Sequence, residues 1–110
     1  MERRRAKRKN VRIDAEITAG RVSYAGVVEN LAEHGIGIET DSKDLLSDST
    51  PFQPGAEFDV RFQTPTGEEI TLQCKVVWSF QEAPYGLKRQ TGMEIIFPPP
   101  DYLDFYRDLS

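Results

Sequence analysis

The sequence predicts an all-β fold: a small six-stranded antiparallel barrel with a flexible, basic N-terminal arm and a short C-terminal helix. Two observations carry most of that reading. Six stretches alternate apolar and polar residues with the two-residue period of a half-buried strand. Turn-forming residues, not helical linkers, separate them, and many short strands in series close most economically as a barrel. A third is that helical spacing occurs only at the C-terminal end. The 110 residues fit one domain, divided as arm 1–10, barrel 11–97 and helix 98–110.

In order, VRIDAEI (11–17) places Val11, Ile13, Ala15 and Ile17 on one face and Arg12, Asp14 and Glu16 on the other. Gly20 breaks the pattern, and RVSYAGVVEN (21–30) forms the second strand. LAEHG reads as a turn, after which IGIET (36–40) resumes the alternation with Ile36 and Ile38 inward. DSKDLLSDSTPFQPGA (41–56) has no clean period and forms a connection pinned by Leu45, Leu46 and Phe52. EFDVRFQ (57–63) alternates through Phe58, Val60 and Phe62. TPTGEE supplies a turn through Pro65 and Gly67. EITLQCKVVWSF (69–80) is a long strand with Ile70, Leu72, Cys74 and Val76 inward, and its alternation slips at Val77-Trp78 through a bulge. QEAPYGLKR is a loop, and QTGMEIIF (90–97) is the last strand, stopped by Pro98 to Pro100. PDYLDFYRDL starts a helix at Pro100, with Leu103, Tyr106 and Leu109 at helical spacing. Trp78, Phe58, Phe62, Phe80 and Phe97 are assigned to the core.

Charge is distributed unevenly. Residues 1–12 hold seven basic side chains against Glu2, a net of +6, while the other 98 hold 7 basic and 17 acidic ones, a net of -10. Such asymmetry points to an anionic partner or a solvated tail. A body of -10 repels a polyanion, and the strands lack the basic and aromatic faces that track single strands, so a nucleic-acid polymer is not the expected partner. No apolar run approaches the roughly 18–20 residues of a membrane span, and charges interrupt the first apolar positions, so neither membrane insertion nor a secretory signal is expected. One cysteine, Cys74, excludes an internal disulfide and fits a reducing cytoplasm. With one histidine, His34, the chain has too few soft ligands for a zinc site, and no metal or cofactor is expected. Hydrolase, phosphate-loop and metalloprotease motifs are absent, and the paired Glu68-Glu69 beside a turn reads as a solvated hairpin tip. A binding module is expected, not an enzyme.

Two motifs carry the functional reading. Within ERRRAKRKN, Arg4 and Arg8 have the spacing RxxxR, with Arg5 between them. Some twenty residues later ENLAEHGIGI carries Asn30, Ala32 and Gly35 as NxAxxG between two strands. In this order and spacing the pair resembles the PilZ domain, the bacterial receptor module for cyclic di-GMP, whose second motif is [D/N]xSxxG. The resemblance continues through FQPGAEFDVRF, KVVW and TGMEIIF. It departs at one position, where Ala32 replaces serine.

The resemblance implies a ligand site made of Arg4, Arg5, Arg8, Asn30, Ala32 and Gly35. Guanidinium groups fork onto phosphate oxygens or onto guanine O6 and N7, and they stack on bases, which suits a dianion with two guanines. Asn30 would offer its side-chain oxygen to guanine N–H groups. Gly35 would adopt positive φ and let the backbone approach. Ala32 lacks the family's hydroxyl, a loss of about 0.5–1.5 kcal/mol. The implied function is a cytoplasmic cyclic di-GMP receptor whose arm is mobile without ligand, closes on binding and signals to a downstream protein. The alternative is a degenerate domain that has lost the nucleotide and serves as a protein-interaction subunit.

Overall fold

The computed structural model describes residues 7–41, 51–81 and 88–109. Six strands, β1 (Lys9–Ala19), β2 (Val22–Ala32), β3 (Gly35–Asp41), β4 (Glu57–Gln63), β5 (Glu69–Gln81) and β6 (Lys88–Ile95), precede one helix, α1 (Pro100–Asp108). All pairings are antiparallel, and the strands close in the order β1-β2-β3-β6-β5-β4, with β4 returning to β1. A closed barrel leaves no strand edge unpaired.

Alternation fills the interior as the sequence dictates. Ile17, Val28, Ile36, Val60, Ile70, Leu72 and Cys74 are fully buried, and Ile38, Phe58, Phe62, Val76 and Met93 are nearly so. Phe52 joins them, with its ring 5.0 Å from Phe58 and 5.3 Å from Tyr24. Leu45 and Leu46, the other proposed pins, lie outside the described residues. The β4–β5 hairpin turns on Gly67, whose φ of 93° suits a residue without Cβ, and Thr64 closes it with two backbone hydrogen bonds. In α1 the most buried residues are Tyr102 and Tyr106, four apart, with Leu103, Phe105 and Leu109 packed around them.

Three details depart from expectation. First, β1 begins at Lys9, so the last two residues assigned to the arm belong to the barrel. Lys9 and Asn10 pair with Leu31 and Asn30 across a register shift. Second, β6 ends at Ile95, because Phe97 takes a φ of 52° immediately before the prolines. Third, Trp78, Phe80 and Phe97 are 45%, 53% and 88% exposed and do not join the core. For the first two the cause is the bulge anticipated in β5. Val76 pairs with Met93 and Trp78 with Gly92, so Val77 is the extra residue. One inserted residue inverts the parity of everything after it. Ser79 turns inward to hydrogen bond with Thr91 at 3.1 Å, while Trp78 and Phe80 turn outward.

Burial pushes the Cys74 thiol up to about 12, with a smaller contribution from the Asp59 carboxylate. An acid raised in the folded state binds its proton there more tightly than in the unfolded chain. The associated stability is therefore complete below pH ~9 and is lost between there and pH ~12. A thiol reagent at pH 8 should label Cys74 only as fast as the barrel opens, and one equivalent should react at once in urea. Rapid stoichiometric labelling of the native protein would contradict the burial.

Candidate functional site

The two motifs meet in space. Arg8, the last residue before β1, donates from Nη1 to Asn30 Oδ1 at 2.5 Å, across 22 positions of sequence. Its other terminal nitrogen lies 3.5 Å from where a Cβ on Gly35 would stand, and the Met93 carbonyl lies 3.3 Å from that point. Gly35 opens β3 and is not among the glycines with positive φ, which corrects the expectation of a left-handed turn residue. Its value here is steric: a side chain would crowd both the β6 backbone and the Arg8 guanidinium.

Asn30 owes its position to register. A shift between Val28 and Asn30 sets Asn30 opposite Gly37 on β3. A Cβ on Gly37 would stand 2.6–3.0 Å from three atoms of the Asn30 amide, so the side chain lies on bare backbone that only glycine leaves free. Asn30 Oδ1 keeps a second lone pair beyond the one given to Arg8. Ala32 closes the two-residue turn by pairing with Gly35 and is buried. Its carbonyl accepts from Tyr102 Oη at 2.6 Å, and burial, the largest influence on that phenol, keeps it protonated and donating. His34, in the turn, is exposed, and its carbonyl accepts from the Ile95 N–H. Arg4 and Arg5 lie outside the described residues.

The helix holds both sides of this arrangement. Lys9 Nζ donates to the carbonyls of Tyr106 at 2.7 Å and Leu109 at 3.0 Å, where a cation also complements the helix C-terminus. The same ammonium sits 4.3 Å above the Tyr106 ring. Tyr106 Oη donates to the Lys7 carbonyl at 2.5 Å, and Arg107 reaches Glu33 in the turn at 3.8 Å. Lys7, Lys9, Ala32 and Glu33 therefore share one partner.

Two neighbours of the site, Arg12 and Gly37, carry no flag in the sequence reading, and a third, Trp78, is assigned there to the core. Arg12 repeats the four-residue arginine spacing one step beyond Arg8, and it bonds Glu29 and Glu39 at 3.2 Å each. Glu39, the stronger influence, holds the Arg12 proton above its ordinary value. Gly37 follows Gly35 in GIG, a spacing that only the Asn30 contact explains. Trp78 ends a row that runs across the barrel wall: Asn10, Asn30, Gly37, Gly92 and Trp78 are successive cross-strand partners from β1 to β5. An overlapping RxxxR could have flagged Arg12, whereas Trp78 could be found only through the bulge.

No helix among the described residues is long and apolar enough to cross a membrane, and no cluster of three or more His, Cys, Asp or Glu among them is placed to hold a metal ion.

A family model for the PilZ domain matches residues 2–102, nearly the whole chain, including both motifs. The chain belongs to the PilZ domain family. Solved structures agree on the fold. The Bacillus subtilis inhibitor of motility MotI/DgrA superposes with a TM-score of 0.72 at 18% identity, over 96% of this chain and 47% of that one. The PilZ domain of YcgR from Escherichia coli, solved with c-di-GMP, gives 0.68 at 11% identity, over 96% and 87%. PlzA of Borreliella burgdorferi, in complex with c-di-GMP, gives 0.61 at 12% identity, over 88% and 42%. This PilZ domain thus spans less than half the length of the MotI and PlzA chains. No curated protein matches the sequence.

Gly37→Ala should displace the Asn30 amide without unfolding the barrel. The expected result is a shift of the Asn30 side-chain NH₂ resonances and of the Arg8 guanidinium, with the remaining amide spectrum nearly unchanged. Unmoved Asn30 resonances would refute the packing described.

Proposed function

We propose that this PilZ domain is a receptor for cyclic di-GMP, a binding module working in the cytoplasm. The observation that carries the reading is the Arg8–Asn30 hydrogen bond, which joins the two motifs. Arg8 offers further N–H donors for phosphate or guanine acceptors. Asn30 offers an acceptor for a guanine N–H, and Gly35 leaves the space in which both work. Arg4 and Arg5 are proposed to complete the cationic half, with Arg12 available once Glu29 and Glu39 release it. Relatives solved with c-di-GMP support the choice of ligand. Calorimetric titration with cyclic di-GMP tests it. Heat with a saturable isotherm is expected, and none at high micromolar protein would overturn the reading. Arg8→Ala removes a charge-assisted contact of about 1.5–3 kcal/mol and should weaken binding about 10- to 150-fold. Ala32→Ser restores one neutral hydrogen bond and should tighten it about 2- to 10-fold. A tighter Arg8→Ala variant would refute the site.

The signalling half of the proposal rests on α1. A ligand that recruits the arm and the 32–35 turn acts on Lys7, Lys9, Ala32 and Glu33, all of which the helix touches. Such a ligand shifts the helix between two placements and changes the surface a downstream protein meets. Amide resonances of residues 102–109 should move together with those of Lys7 and Ala32 on saturation. A silent helix in a ligand-bound domain would confine the function to binding.

A second reading, a domain that has lost the nucleotide and serves as an interaction subunit, draws on Ala32. Its methyl is buried and its carbonyl is committed to Tyr102, so this turn also has a packing role. The titration decides between the two.

A further inference from the structure

The polar attachments of α1 concentrate around the two motifs. Among the described residues, its hydrogen bonds and ion pair to the barrel run to Lys7, Lys9, Ala32 and Glu33. Two buried tyrosines make the innermost of them. Tyr102 and Tyr106, one helical turn apart, stack with ring centroids 6.4 Å apart and planes 22° from parallel. Tyr102 Oη reaches the second motif at the Ala32 carbonyl, and Tyr106 Oη reaches the first at the Lys7 carbonyl. One aromatic pair thus spans the segments that carry Arg8 and Asn30.

A buried tyrosine hydroxyl ordinarily finds some partner in the core, and that role accounts for Tyr102. It does not account for what converges on Tyr106. This residue holds the position before Arg8 through Oη, at 2.5 Å from the Lys7 carbonyl. It holds the position after Arg8 twice, through its ring, 4.3 Å from the Lys9 ammonium, and through its own carbonyl, 2.7 Å from Lys9 Nζ. Arg8 stands between these grips and bonds to Asn30. Consecutive side chains of an extended chain leave on opposite faces, so a Lys9 side chain committed to α1 sends the Arg8 side chain to the other face, where Asn30 lies. Ordering a lysine side chain is entropically unfavourable, and among the described residues no carboxylate offsets it: the ammonium bonds two carbonyls and faces a ring.

We propose that Tyr106 is the positioning residue of Arg8. By gripping Lys7 and Lys9 it fixes the direction in which the guanidinium leaves the backbone, while Tyr102, stacked on it, fixes the Ala32 turn. The guanidinium then meets a ligand already oriented, which lowers the ordering cost of binding. The affinity part of the inference rests on the cyclic di-GMP reading, and the orientation of Arg8 does not. A direction for signalling follows. A seated helix that favours the bound geometry of Arg8 is favoured by the ligand to the same extent, so cyclic di-GMP holds α1 against the barrel and does not release it.

The test is Tyr106→Phe in the full-length protein, which keeps the ring and removes Oη alone. In NMR spectra of the ligand-free protein, the Arg8 Nε–H and the Asn30 side-chain NH₂ resonances should shift, the latter in the direction that Arg8→Ala shifts them. Resonances unmoved from wild type overturn the proposal. Lys9→Met keeps the side-chain stem and removes the ammonium. It should give the same shift, and it decides the point if Tyr106→Phe folds poorly. In calorimetric titration with cyclic di-GMP, Tyr106→Phe should weaken binding about 2- to 10-fold, the range for one neutral hydrogen bond. Added to Arg8→Ala, the same substitution should change nothing further. Equal weakening in both backgrounds marks a helix that serves stability alone and overturns the proposal. Hydrogen exchange of residues 102–109 should slow on saturation, and faster exchange overturns the direction assigned to the helix. Absence of heat from wild type removes the receptor reading, and the ligand-free spectra then decide the positioning of Arg8 by themselves.

Discussion

Strand parity in a closed barrel is the constraint on which the rest of this structure depends. Once six strands pair around a full circle, every residue is committed either to an interior that must be filled or to a surface, and a strand can change its commitment only by inserting a residue. Val77 does this in β5. Ahead of it Ile70, Leu72, Cys74 and Val76 fill the interior. Beyond it the inward positions pass to Ser79, which bonds Thr91 and receives Arg89 Nη1 at 2.9 Å, so the barrel ends in hydrogen-bonded polar groups. The same inserted residue sends Trp78 and Phe80 outside. Irregularities in β1 and β2, at Asn10/Ile13 and Val28/Asn30, do the complementary work of bringing Asn30 onto the line that ends at Trp78.

Backbone bareness is the second theme. Gly35, Gly37 and Gly92 occupy consecutive outer-face positions on two neighbouring strands, and each has a functional-type side chain resting on it: Arg8, Asn30 and Trp78 in turn. Glycines in strand interiors weaken a sheet, and they recur where something must approach the backbone closely. Here side chains of the same molecule make that approach, which lowers their profile and holds charged, hydrogen-bonding and aromatic groups in a row. The electrostatics are consistent with it. Arg12 is engaged by Glu29 and Glu39, so much of the positive charge next to the body is already compensated, while Arg8 is bonded only to a neutral amide among the described residues.

Much of this was legible from the residues. Alternation placed all six strands, since period two survives wherever one face is buried. The RxxxR and NxAxxG spacings led to the PilZ family, and the structure brings Arg8, Asn30 and Gly35 together. What was missed has a common cause. The aromatic assignment failed at Trp78 and Phe80 because a slip in periodicity shows that parity changes but not what lies opposite. Gly35 reads as a turn residue because sequence cannot separate a glycine chosen for φ from one chosen for room. The boundary at Lys9 was missed because pairing with Leu31 depends on a neighbour 22 positions away.

The sequence alone determined which segments are strands, where the helix begins, which apolar residues fill the barrel and which family the chain joins, because each of these is written in local spacing. Tertiary structure alone decided that Arg8 reaches Asn30, that α1 ties Lys7, Lys9, Ala32 and Glu33 together, and that two glycines meet between Asn30 and Trp78. The physical reason is that register between strands far apart in sequence is settled by closure of the whole barrel, and no window of residues contains that information.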